Sequence, residues 1–149
     1  MEKKVEAILW SIALPGFAQL LNRNYVKGIL LIAIELIVNV MGNLNTLIVL
    51  SFQGYTQEAV QQADYLWIMF YPCLYFFAIW DAYKDAGGDG KPYMAIPFAS
   101  AAFITTIGVA YSSQTIMGVT VGPIFLPILS SFVGLALGFA ARKIVMSVI

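Results

Sequence analysis

The sequence predicts an all-α integral membrane protein: a helical bundle of four transmembrane helices plus an N-terminal re-entrant or interfacial helix broken at Pro15-Gly16. Three observations carry this. The 149 residues are 60% hydrophobic and 11% charged, against about 25% charged in soluble domains. The apolar residues gather in long runs, about 29–50, 65–83, 93–111 and 121–141, each near the roughly 20 residues that cross a bilayer. The eight Lys and Arg residues all lie outside those runs. The length fits one domain, 1–149.

The chain opens with a short charged stretch and then an apolar segment, 5–21. Pro15-Gly16 ends or sharply kinks a helix there. A signal peptide competes for this segment, with Gly16-Phe17-Ala18 as a small-x-small site before Gln19. Cleavage there sends the basic turn NRNYVKG outside, which counts against it. Residues 29–50 form the first run, expected as one helix. A polar loop, 51–64, follows with no Lys or Arg. The second run, 65–83, is dense in aromatics and contains Pro72, with Trp67 near one end and Trp80 and Tyr83 near the other, as interfacial belts require. A glycine-rich turn leads to the third run, and the uncharged loop 112–120 leads to the fourth. Arg142-Lys143 stand just past its end.

Orientation follows from the basic residues. Lys3, Lys4, Arg23, Lys27, Lys84, Lys91, Arg142 and Lys143 share one face if four runs cross. That face, with both the basic loops and the C-terminus, is then cytoplasmic, and the membrane is the bacterial plasma (inner) membrane. The segment 5–21 must enter and leave on that same side. A fifth crossing is the rival, and it leaves Lys3 and Lys4 on the wrong face.

Several function classes are disfavoured. There is no histidine, hence neither the usual proton relay nor the commonest transition-metal ligand. Serines and the lone Cys73 lack a base, and no paired carboxylates occupy a span, so no enzyme is expected. Cys73 reads as a small packed hydrophobe. Asp81, Asp85 and Asp89 stand four apart beside glycines, the wrong spacing for a calcium loop, and read as a solvated turn. Asp81 is the exception, placed to pair with Lys84, Lys27 or Arg23. No metal and no cofactor are expected. No basic block suggests nucleic acid.

The distinctive feature is a polar stripe in the first run. Glu35, Asn39 and Asn43 repeat every four residues, one line on a helix. Lipid cannot satisfy such a line, so protein or protein-held water must. In one reading Glu35 supplies charge for a cation or proton, and Asn39 and Asn43 carry the path outward. In the other, Glu35 belongs to a structural network with Tyr71 or Tyr75, which an antiparallel hairpin brings to comparable depth. The fourth run adds a small-residue face, Ser130, Gly134 and Gly138, that permits close helix packing. Pro123 and Pro127 precede it, and Pro127 frees a backbone carbonyl.

The stretch PGFAQLLNRNYVKG (15–28) resembles the P-G-x-G-Q-x-Y-x-G…K-G signature of small bacterial multi-span membrane proteins akin to the two-span domain family. The matching residues are Pro15, Gly16, Gln19, Lys27 and Gly28, and Trp80-Asp81-Ala82-Tyr83 resembles the end of the paired span. Ala18 replaces the family glycine and Leu21 its tyrosine. Function in that family is mostly unknown, so the resemblance implies a fold and draws attention to Gln19, but it implies no activity.

Two functions follow as expectations. The first is a small transporter or channel-like protein for a cation or small polar solute, lined by Glu35, Asn39 and Asn43. The alternative is a non-transporting interaction or assembly module. The expected partners are the lipid bilayer and either further copies of the chain or another membrane subunit, because so small a bundle buries Glu35 with difficulty.

Overall fold

A computed structural model describes residues 2–88 and 91–148. Asp89, the last of the three spaced aspartates, lies outside the described residues. The fold is built almost wholly from helices. In order they are α1 (Lys3–Ala13), α2 (Phe17–Leu21), α3 (Tyr25–Met41), α4 (Leu44–Phe52), α5 (Thr56–Gln62), α6 (Tyr65–Ile68), α7 (Tyr71–Asp85), α8 (Ala95–Tyr111) and α9 (Gly122–Val148). A small antiparallel hairpin, β1 (Thr115–Ile116) and β2 (Val119–Thr120), sits between the last two. Met117 and Gly118 both have positive φ at its tip, the backbone that a two-residue hairpin turn requires.

Among the described residues, two helical stretches are long and apolar enough to cross a membrane: 65–85, which joins α6 to α7, and α9. A third qualifies if α3 and α4 are one bent span. α8 is apolar but has 17 residues, about 25 Å of helix. Many large hydrophobic side chains of these helices point outward, as Val40, Phe103 and Phe132 do.

The first run departs from the single helix expected over 29–50. α3 stops at Met41, and α4 leaves at 61° to it. Gly42-Asn43 explains the stop. Gly42 caps α3, and Asn43 takes the left-handed conformation, φ 56°, which glycine and asparagine adopt at helix ends. A Cβ at Gly42 would stand 2.7 Å from Ile68 Cγ2, so the bend is packed against α6. The second run has a milder interruption at Met69-Phe70, where Pro72 cannot donate to the carbonyl of Ile68. α9 does not end at Arg142-Lys143 but continues to Val148; two basic residues are good helix formers and give no reason to stop.

α1 lies antiparallel along α7. Ala7 packs with Ala82, Ile8 with Phe76 and Ile79, and the Ile12 carbonyl accepts from Tyr75. The chain reverses at Pro15-Gly16, with Gly16 at φ 97°, and α2 returns along α7 in the opposite sense. Segment 3–21 is therefore a helical hairpin that enters and leaves at one end of the bundle. α8 and α9 form the tightest antiparallel pair: a Cβ at Gly134 would stand 2.7 Å from Ala101 Cα, and one at Gly138 2.5 Å from Pro97 Cα. Pro127 sits inside α9, and the Ser131 hydroxyl donates to the Ile128 carbonyl at 2.6 Å.

Candidate functional site

Glu35 is on the inner face of α3 with Leu31 and Val38, and it is 6% exposed. The single chain buries it, so the expectation of a partner loses that ground. The Tyr71 hydroxyl donates to Glu35 Oε1 at 3.3 Å. Glu35 Oε2 is buried and has no hydrogen-bond partner among the described residues. Tyr75 stacks on Tyr71 at 5.7 Å between centroids but sends its hydroxyl to the Ile12 carbonyl at 2.9 Å. Glu35 thus stands close above the turn of the N-terminal hairpin, which Gly16 seats against Gly28 and Ile32 of α3. Neither cavity found between α7 and α8 is lined by Glu35.

The stripe continues from Glu35 to Asn39 on the unbroken α3 and is interrupted before Asn43. Asn39 is half-buried and donates to Asn45 Oδ1 at 3.4 Å. Asn43 lies beyond the break, exposed, and donates to the Gln62 carbonyl at 3.1 Å. A four-residue spacing aligns side chains only on an unbroken helix, and the left-handed turn at Asn43 removes it from the line.

A second polar centre gathers the motif residues. Gln19 is fully buried, and its Nε2 donates to the Ala78 carbonyl at 2.9 Å and to Asp81 Oδ2 at 3.2 Å. Lys27 donates to Asp81 Oδ1 at 2.8 Å and to Asp85 Oδ2 at 3.1 Å. Asn22 donates to the Ala82 carbonyl, and Asn24 to Asp85. Of the three partners open to Asp81, the structure takes Lys27. Lys84 instead lies over the Trp80 ring, 5.4 Å from its centroid. Asp85 belongs to this cluster and not to a free turn; its spacing of four from Asp81 puts both carboxylates on one face of α7, and that signal was present in the sequence. Ile12 gave none, because its contribution is a backbone carbonyl.

The cluster is built to hold α2 and α3 against α7. Asp81→Asn keeps the shape and removes the charge. Since Lys27 is half-exposed and retains Asp85, the loss should be about 1 kcal/mol, read as a shifted SDS-unfolding midpoint. Leucine at 81 should cost more, because it leaves the buried Gln19 amide with one acceptor.

Ser130, Gly134 and Gly138 line the α8 contact. Ser130 Oγ faces Gly108, and the two glycines face Ala101 and Pro97. This face is occupied within the chain. Cys73 was expected to be packed; it is exposed on α7, with Thr106 Oγ1 4.0 Å from its sulfur.

No family model matches the chain, and no curated protein or solved structure is significantly similar to it. Among the described residues no group of His, Cys, Asp and Glu is arranged to hold a metal.

Proposed function

We propose that this is a multi-pass inner-membrane protein in which Glu35 binds and releases a proton or small cation during transport. The observation that carries the reading is the half-satisfied carboxyl at the turn of the N-terminal hairpin: one oxygen bonded to Tyr71, the other open and buried. An ionised carboxyl cannot stay so in an apolar interior without a counter-charge. Interrupted helices also flank it, with the reversal at Pro15-Gly16 below and the break at Gly42-Asn43 above. Broken helices near the midplane are where transporters hold ions.

In this reading α3–α4, α6–α7, α8 and α9 are four crossings and the 3–21 hairpin is re-entrant. From Gly122 to Arg142 α9 rises about 30 Å, the thickness of the hydrocarbon layer. Lys27, Lys84 and Arg142, which donates to the Pro92 carbonyl, then share the cytoplasmic end. The motif cluster positions the hairpin and thereby Ile12, Tyr75 and Glu35. The resemblance to the two-span domain family is part of the same proposal.

Proteoliposomes loaded with pyranine test it. Wild-type vesicles should pass protons, or Na⁺ or K⁺, faster than empty ones, Glu35→Gln should fall to the empty-vesicle rate, and Tyr71→Phe should retain part of the flux. Wild-type vesicles no more permeable than empty ones to all three ions would sink the proposal. The assembly-module alternative draws on one observation, that the α7–α8 cavities do not reach Glu35. It requires an uncovered face on α3, because α8 already fills the glycine face.

A further inference from the structure

Two cavities run in series along the α7–α8 seam. The first, about 210 Å³, is at the end of the bundle and is lined by Lys84, Lys91, Trp80, Tyr83 and Tyr93. The second, about 310 Å³, is wholly apolar and is lined by Cys73, Phe77, Phe98, Ala99 and Ala102. Trp80 and Ala95 line both, so the two adjoin.

The carboxylates of α7 are drawn away from the mouth. Asp81 and Asp85 turn toward α2 and α3, where they take Lys27, Asn24 and Gln19. Among the described residues no carboxylate lies within ion-pair distance of Lys84 or Lys91. Lys84 is instead placed by the Trp80 ring. The small residues Ala95, Ala99 and Ala102 open the groove below. Cation and aromatic rings at the interface, above an apolar slot at hydrocarbon depth, match one ligand with two halves.

We propose that this seam holds one anionic glycerophospholipid of the surrounding bilayer: its phosphate lies between Lys84 and Lys91, and an acyl chain lies against Phe77, Ala99 and Ala102. The site is distinct from Glu35 and does not depend on transport.

The test uses nanodiscs and a Trp10→Phe/Trp67→Phe variant, in which Trp80 is the one tryptophan left. Phosphatidylglycerol brominated on its acyl chains should quench Trp80 at a roughly 25-fold lower mole fraction than brominated phosphatidylcholine, since each of the two lysines near an anionic group contributes a factor of about five. Lys84→Gln/Lys91→Gln should abolish that preference. Glycerophosphoglycerol in solution should leave it intact. Equal quenching by the two lipids overturns the proposal, as does a preference that survives loss of both lysines. Relief by the soluble headgroup overturns the acyl-chain half. If the tryptophan variant does not fold, native mass spectrometry of the wild-type chain decides: retained phosphatidylglycerol with no retained phosphatidylcholine supports the site, and equal retention refutes it.

Discussion

Leucine at Gly138 should separate α9 from α8 and leave little protein monodisperse in mild detergent. A Cβ at this position would stand 2.5 Å from Pro97 Cα and 3.1 Å from the Pro97 carbonyl oxygen. Both are backbone atoms, so no rotamer change relieves the overlap. Overpacking usually costs about 1–3 kcal/mol and more where nothing can move; this position belongs at the upper end. Gly134→Leu should behave alike, because a Cβ there would meet Ala101 Cα at 2.7 Å. Leu137, next to Gly138 on α9 and 54% exposed, supplies the control: Leu137→Ala should leave the SDS-unfolding midpoint within about 0.5 kcal/mol of wild type. Normal folding of the two glycine variants would show that the helices do not approach as closely as described.

Gly16→Ala should release the N-terminal hairpin while the rest of the bundle persists. Gly16 has φ 97°, a backbone that costs any residue with a Cβ about 1–2 kcal/mol. The added methyl would also stand 2.6 Å from the Gly28 carbonyl oxygen and 2.8 Å from Ile32 Cγ1. Together these should exceed about 3 kcal/mol. Trp10 reports the outcome, since its ring lies 5.2 Å from Phe17 across the turn. Its emission should shift and its iodide quenching should rise, and limited proteolysis should remove residues before Tyr25 with the remainder intact. Unchanged quenching and cleavage would mean that the turn tolerates a side chain and that the hairpin is held elsewhere. The same variant bears on function: with the hairpin loose, the Ile12 carbonyl no longer fixes Tyr75.

Much of this architecture could be read from residue order, for identifiable reasons. Proline followed by glycine states a reversal directly, and small residues four apart on one helix state a close neighbour. Counting along two antiparallel helices brings Glu35 level with Tyr71. Other features were hidden because one residue type serves two ends. Asn43 satisfied the four-residue spacing of a polar stripe and also the Gly-Asn pattern of a helix stop; periodicity suggested the first, and backbone conformation decided the second. Tyr75 went to a backbone carbonyl, which no side-chain pattern announces. Cys73 was assigned by the average preference of its type, while its actual surroundings depend on the rotation of α7 against α8. Lys27 was chosen from three basic candidates near Asp81 by where the hairpin delivers α3.

The anchors of the N-terminal hairpin have a consequence for biogenesis. Gln19, Asn22 and Asn24 are all held by α7, at separations of 59 to 62 residues along the chain. At typical synthesis rates of about 5–20 residues per second, the ribosome needs several seconds to supply those acceptors. The hairpin therefore emerges seconds before the helix that fastens it, and until then its amide must be satisfied by water or by another chain.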